Sequence, residues 1–274
     1  MATQAATLAR PMTPSSAGVI LPAFTLWWRE IVRFYRQPGR VIGVLASPLV
    51  FWLVLGSGFG NSLRSAGGTQ QQYLDYFYPG TLILIVLFTS IFTMMSVIED
   101  RKEGFLLSVL VAPVPRTAIV LGKVLGGTTL SAVQGLIFLI FAPFAGVHLH
   151  PLQVLLVAVV VFLVSFSLTA LGFAIAWPMD SSQAFHGIVN LFLIPLWLLS
   201  GALFPLNGAS EWIRAIMHLN PLTYGVAALR WLLYPTQDNS FAVKSAMATL
   251  VLFSLVMFAL ALLMANRRTT RPAA

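Results

Sequence analysis

Six long apolar stretches follow one another along the chain, and Lys244, near the start of the last one, is the only Lys, Arg, Asp or Glu within them. A helix needs about 20 apolar residues to cross the hydrocarbon core of a bilayer. The pattern therefore predicts an all-α polytopic membrane protein, with a single membrane domain over residues 21–266. The predicted spans are residues 41–60, 76–98, 124–147, 151–177, 184–206 and 242–265.

A shorter amphipathic helix is predicted ahead of the first span, over residues 24–38. Its arginines recur at helical spacing and share one face, while Phe24 and Phe34 lie on the opposite face. A basic face opposite an aromatic face is typical of a helix in the membrane interface; a soluble helix packed on a partner is the alternative. The residues assigned to this interfacial helix are Trp27, Trp28, Arg29, Arg33 and Arg36.

Between the fifth and sixth predicted spans, residues 221–234 form another short apolar stretch. At 1.5 Å per residue it reaches roughly 21 Å, which is too short to cross a bilayer. We therefore predict an outer re-entrant segment. Ser210 stands where it could cap a short preceding helix, which Asn220-Pro221 would end.

The basic residues set the predicted orientation. With the N-terminus inside, only Arg64, Arg214, Arg230 and Lys244 of the 16 basic residues lie on the outer side. Basic loops are retained in the cytoplasm, so both termini are predicted to be cytoplasmic, with a disordered tail at 1–20 and a second tail at 267–274. The net charge of +8 thus reports topology, and nucleic-acid binding is not expected.

Composition narrows the class further. The chain is 58% hydrophobic and 9% charged, whereas soluble domains carry about 25% charged residues. It has no cysteine, which excludes disulfides, thiolate metal sites and cysteine nucleophiles.

One charged segment interrupts the apolar pattern, between the second and third predicted spans. About 25 residues, Glu99 to Lys123, form an inner loop that contains an apolar helix-length stretch. A partner-docking helix explains an apolar face in a wet loop, whereas the alternative, a solvated turn, needs only a few residues. The residues assigned to docking are Glu99, Asp100, Arg101, Lys102, Glu103, Gly104, Phe105, Leu106, Pro113, Arg116 and Lys123, with Asp180 of the next inner loop as a lesser contact.

Two separated motifs carry a family resemblance. The first comprises Glu103-Gly104, the run 112–116 (APVPR) and Leu121-Gly122-Lys123; the second comprises 199–206 (LSGALFPL), 220–224 (NPLTY) and Arg230. With the six spans, residues 24–265 resemble the transmembrane permease subunit of ABC exporters of the type-2 permease family, of the drug-resistance and lipo-oligosaccharide type. One difference is that Phe105 to Leu110 is apolar where family members often carry charges.

The resemblance implies a function and partners. It implies a permease in the bacterial cytoplasmic membrane that exports a drug, lipid or lipid-linked glycan. It also implies two copies of an ABC ATPase that carry ATP and Mg, and a second permease copy or paralogue. The residues that the resemblance places in the outer re-entrant segment and exit are Asn220, Pro221, Tyr224 and Arg230.

The chain itself offers no sign of ATPase chemistry. A phosphate-binding loop needs a Gly five positions before its Gly-Lys, but Thr117 stands there before Gly122-Lys123. We therefore expect no catalytic residue, cofactor or metal in this chain. The alternative is a secondary, ion-coupled multi-span transporter; its best polar pair, His186 and Asn190, is interpreted as a helix-packing contact.

Overall fold

A computed structural model describes residues 18–65, 70–147, 149–235 and 242–267 of the chain. Within these ranges the protein is helical and contains no strand. The α-helices are α1 (Ile20–Tyr35), α2 (Pro38–Ser65), α3 (Gln70–Thr93), α4 (Met95–Lys102), α5 (Phe105–Val111), α6 (Arg116–Phe138), α7 (Pro151–Ala176), α8 (Ser182–Trp197), α9 (Glu211–Leu219), α10 (Pro221–Leu233) and α11 (Val243–Asn266). Most of the two predicted tails, residues 1–17 and 268–274, lies outside the described residues.

Five helical segments of the described chain are long and apolar enough to cross a membrane. They are Leu74–Lys102, Arg116–Ala145, Pro151–Ala176, Ser182–Ala202 and Val243–Asn266. The remaining predicted span, 41–60, lies within α2, which is not among these five. The count of six spans, the position of the termini and the membrane depth of the shorter helices therefore stay predictions.

Helices α3, α6 and α7 pack against one another and form the centre of the bundle. In the span that contains α3, 83% of the most apolar stretch is buried inside the protein, whereas the corresponding share in α11 is 17%. Outward-facing residues of α11, such as Leu252, Leu255 and Leu263, are exposed. A helix with an exposed apolar face is stable in a bilayer, because lipid tails are as apolar as the leucine side chains that they contact.

Close packing of α1 on α6 depends on two glycines one turn apart. A Cβ atom at Gly122 would lie 2.7 Å from the carbonyl oxygen of Ala23, and one at Gly126 would lie 2.8 Å from the Cβ of Glu30. Real Cβ atoms do not approach so closely, so only glycine permits this distance between the helices. The groove in α6 thus receives α1.

The segment predicted as an inner loop, Glu99 to Lys123, contains the predicted short helix, but the helices on either side extend further into it than predicted. Helix α4 ends at Lys102, α5 follows after two residues, and α6 begins at Arg116 rather than at residue 124. The charged segment therefore forms the end of one long helical unit, a short helix and the first two turns of the next long helix. The sequence predicts that the second and third spans stop at their first charged residues. The helices continue past these residues because the charges of α4 and α6 pair with one another.

The ends of α9 and α10 match the prediction. Helix α9 begins after Ser210 and ends at Leu219, and α10 begins at Pro221. The predicted cap is wrong in one respect, because the Ser210 side chain makes no capping hydrogen bond to α9. Helix α10 packs against α3, α7 and α11, so it lies inside the bundle. The fifth predicted span ends early: a π-helical turn covers Leu198–Ala202, where Gly201 has a φ of +78°, a left-handed conformation that favours glycine.

Candidate functional site

A buried ionic cluster joins α1, α4 and α6. The Nζ atom of Lys123 donates to the Oε1 atom of Glu30 at 2.6 Å and also bonds a carboxylate oxygen of Asp100. Their side chains are 1%, 4% and 0% exposed, respectively. An unpaired charge at such depth would be strongly destabilising, so each of these groups depends on the others. Ser96 completes this arrangement by donating to Glu30 at 2.8 Å.

Two arginines of α1 close the cluster from the surface. Arg29 donates to both carboxylate oxygens of Asp100, at 2.7 and 2.9 Å. Arg33 donates to Asp100 at 2.6 Å and to Glu99 at 2.8 Å. Partial burial lowers the pKa of Arg29, but the hydrogen bond and the charge of Asp100 outweigh this effect and hold it above its ordinary value. The bidentate geometry fixes α1 to α4.

The predicted basic face of α1 points largely into the protein and not toward the membrane surface as expected. Arg29 and Arg33 turn toward the acids of α4 instead of presenting a free basic face, and only Arg36 of the three stays exposed without a described ion pair. The predicted aromatic face is divided as well. Phe34 is buried, whereas the Nε1 atom of Trp27 donates to Thr129 of α6 at 3.0 Å. The interfacial position of α1 remains a prediction.

The structure separates the predicted docking residues into two groups. Lys102, Glu103 and Pro113 are exposed, so they are available to a partner. Asp100, Leu106 and Lys123 are predicted on the docking surface, but they are buried and cannot contact a partner directly. The charges of Asp100 and Lys123 stabilise each other, because a buried carboxylate needs a nearby cation.

Helix α5 presents an apolar ridge on the surface. Leu107, Leu110 and Val111 are 61%, 38% and 88% exposed. On its other side Leu106 is buried, and the guanidinium of Arg29 lies 3.7 Å from the centre of the Phe105 ring. We call Leu107, Leu110 and Val111 the α5 ridge.

Gly104 makes the turn into α5 possible. Its φ is +76°, and a Cβ atom added there would meet nothing within 4 Å. The constraint at this position is therefore conformational and not steric, since the left-handed region costs other residues energy.

Two further arginines tie the same end of the bundle together. Arg101 donates to the carbonyl of Met179 at 2.9 Å and to Asp180 at 3.0 Å, which joins α4 to the connection between α7 and α8. Arg116 donates to the carbonyl of Ala265 at 2.8 Å, near the C-terminal end of α11. Asp180, predicted as a lesser docking contact, thus lies beside Arg101.

Sequence reasoning missed Glu30. It is the only acid in α1, placed between Arg29 and Arg33 in a helix that was interpreted as basic. A single acid at helical spacing from apolar residues Leu26 and Phe34, both buried, was the available signal. Its partner Lys123 lies 93 positions away, which no local pattern reveals.

The predicted outer residues meet at the break in the fifth span. The side-chain amide of Asn220 donates to the carbonyls of Leu196 and Leu199 at 2.5 and 3.0 Å, and its oxygen accepts from the backbone of Leu222. Asn220 therefore caps α10 and also satisfies carbonyls near the π-helical turn, where ordinary helical bonds are lost. Pro221 occupies the first position of α10, which suits a residue without an N–H group.

Arg230 and Tyr224 complete the outer arrangement. Arg230 donates to the carbonyl of Gly201 at 3.1 Å and lies 4.1 Å from the centre of the Tyr76 ring. The Tyr76 hydroxyl donates to the same carbonyl at 2.9 Å. Tyr224 donates to the carbonyl of His218 at 2.9 Å, which links α10 to α9. These contacts stabilise the broken helix; a role in substrate exit stays a prediction.

His186 and Asn190, the predicted polar pair, both lie on α8. The ring of His186 lies 5.1 Å from the ring of Phe92, and Asn190 is exposed.

A bundle that contains several apolar helices of membrane-spanning length, with a buried ionic cluster at one end, is the architecture of an integral membrane protein. The chain belongs to the ABC-2 type transporter family, whose family model matches residues 23–234. It is therefore the membrane subunit of an ABC transporter.

Known relatives agree over most of their length. The chain is 28% identical to the transport permease named ycf38 of Cyanophora paradoxa, over 86% of each chain. It is 25% identical to the daunorubicin resistance ABC transporter permease protein DrrB1 of Streptomyces coeruleorubidus, over 81% of this chain and 78% of the relative. It is 26% identical to the inner membrane transport permease YadH of Escherichia coli K12, over 76% and 80%.

Proposed function

We propose that this permease exports its substrate from the bacterial cytoplasm, driven by ATP hydrolysis on a separate ABC ATPase. The working transporter would contain two permease subunits, identical or paired with a paralogue, and two ATPase subunits. The carrying observation is the α5 ridge, an exposed apolar surface on a short helix whose other side is anchored in the protein. Exposed apolar side chains next to Lys102 and Glu103 suit a protein partner on the inner side.

The anchoring of α5 supports a mechanical route for the energy. Phe105 lies against Arg29, and Arg29 is bonded to Asp100 of α4. Asp100 in turn is bonded to Lys123 of α6. A push on α5 would therefore reach α1, α4 and α6 together, because close charge pairs in a buried site resist separation. Closure of the ATPase pair would tilt the second and third predicted spans and open a path outward.

The substrate class follows from similarity. The name of DrrB1 refers to resistance to daunorubicin. The sequence motifs resemble those of drug-resistance and lipo-oligosaccharide export permeases. A drug, a lipid or a lipid-linked glycan is therefore the proposed cargo, and all three share an apolar part that can travel within the bilayer.

The docking role is tested by co-purification with the partner ABC ATPase. Leu107→Glu and Val111→Glu place charges on the α5 ridge and should lower ATPase recovery by on the order of tenfold. Leu219→Glu, at an exposed leucine of α9, is the matched control and should recover the wild-type amount. Full ATPase recovery and full transport with both ridge variants would contradict the proposal.

The energy source is tested in inside-out membrane vesicles. Uptake of a fluorescent amphipathic drug should require ATP and should persist when an ionophore collapses the ion gradients. Uptake that follows an imposed ion gradient without ATP would instead support the secondary, ion-coupled transporter.

A further inference from the structure

A cleft of about 700 Å³ opens on the surface of α1 beside the end of α4. Its lining includes Trp28, Arg36 and Glu103, together with Arg29 and Arg33. Its volume falls within the range of small-ligand sites, which is about 300–1,000 Å³.

The charges of the ionic cluster balance one another and leave two charges on the cleft. The paired residues are the cations Arg29, Arg33 and Lys123 and the carboxylates Glu30, Glu99 and Asp100. Arg36 forms no ion pair with any residue that the structure describes. Among the described residues, Glu103 forms one ion pair, with Arg33 at 3.5 Å, and its side chain remains 61% exposed. The cleft thus offers one cation and one carboxylate to a ligand.

The surroundings of the cleft indicate where that ligand comes from. On α1, Ile20, Leu21, Phe24 and Trp28 are all more than half exposed. A patch of this kind is unfavourable in water and typical of the membrane interface, with tryptophan at the level of the lipid headgroups. Phospholipid headgroups are therefore the most abundant small polar groups beside the cleft.

We propose that the cleft binds the headgroup of a zwitterionic phospholipid, with its phosphate on Arg36 and its ammonium group on Glu103. A guanidinium matches a phosphate with two parallel hydrogen bonds. A primary ammonium donates to a carboxylate, and the neighbouring Trp28 ring suits a cation as well. An anionic headgroup without an amine would give Glu103 no partner beyond Arg33 and would be repelled by its carboxylate.

The test measures lipid retention by the purified full-length chain. The protein is exposed in detergent to equal amounts of phosphatidylethanolamine and phosphatidylglycerol, and the bound lipid is identified by native mass spectrometry. Wild-type protein should retain the zwitterionic lipid preferentially. Arg36→Gln and Glu103→Gln should each lower that retention about fivefold. Arg267→Gln, at an exposed basic residue outside the cleft, should leave it unchanged.

Three outcomes would overturn the proposal. In the first, wild-type protein retains phosphatidylglycerol as well as or better than phosphatidylethanolamine. In the second, both cleft variants retain as much phosphatidylethanolamine as the wild type. In the third, Arg36→Gln loses the ATPase while its lipid retention is intact, which would make the cleft a protein contact. A folding defect is separable, because Glu103→Gln should lower retention of the ethanolamine lipid and spare that of the glycerol lipid.

Discussion

Lys123 and Asp100 form an ion pair in which neither side chain reaches water, with 1% and 0% of their surfaces exposed. The two residues lie 23 positions apart and belong to α6 and α4. Each also holds a residue of α1: Lys123 bonds Glu30, and Asp100 bonds Arg29. The charges that separate the second and third spans in the sequence therefore connect those spans in space.

Removing one member of this pair should cost more than removing an exposed charge. Lys123→Met removes the fully buried cation that pairs with Glu30 and Asp100 and should reduce stability by about 3–5 kcal/mol. Lys102→Met, at an exposed lysine of α4, should change stability by less than about 0.5 kcal/mol. Thermal unfolding of the purified variants in detergent measures the difference. Equal midpoints for the two methionine variants would show that the buried cluster is not needed for stability.

Substitutions at Gly104 should follow backbone preference. With φ at +76° and open space around the Cβ position, Gly104→Ala should cost about 1 kcal/mol, and Gly104→Asn should cost less because Asn tolerates this conformation. Gly104→Pro cannot adopt a positive φ, so we expect it to displace α5. Recovery of the ATPase on the purified variants should fall in the order Asn, Ala, Pro. An equal yield for all three would argue against a fixed turn before α5.

The groove of α6 should not accept a larger side chain. Gly122→Val would bring its Cβ to 2.7 Å from the Ala23 carbonyl, so α1 must move away, at a cost of about 1–3 kcal/mol. Gly187→Ala, at a helical glycine of α8 with no neighbour within 4 Å, is the control and should be neutral or slightly stabilising. The checks are thermal stability and the yield of a disulfide engineered between α1 and α6. An unchanged crosslinking yield in the Gly122→Val background would contradict this packing.

Asn220 should show two separable roles. Asn220→Ala removes both the cap of α10 and the donor to Leu196 and Leu199, and should cost about 2–3 kcal/mol. Asn220→Asp keeps the capping oxygen but loses the donor, so it should also destabilise the protein. A melting midpoint of Asn220→Asp equal to that of the wild type would mean that the carbonyls near the helix break do not depend on this side chain.

Much of the architecture could be predicted from local patterns. The apolar stretches at 151–177 and 242–265 agree with α7 and α11 to within a few residues, because each is bounded by polar or proline residues. The limits of α9 and α10 were predicted because Asn220-Pro221 combines a capping residue with a residue that cannot continue a helix.

The errors arose where distant residues change what a local pattern means. The sequence predicts that the third span starts at residue 124, after the charge of Lys123, yet the helix begins at Arg116. The arginines of α1 looked like a lipid-facing surface, yet Arg29 and Arg33 bond the acids of α4. In each case a charged side chain that local patterns place in water is instead paired with an opposite charge inside the protein.

The amino-acid sequence by itself determined that this chain is a helical membrane protein of the ABC-2 permease family, because span length and family motifs are written in consecutive residues. Only the tertiary structure decided which charges are buried and which are presented to partners. The free energy of a charge depends on what lies within a few ångströms of it, and the neighbours of Lys123 include Glu30, 93 positions away along the chain.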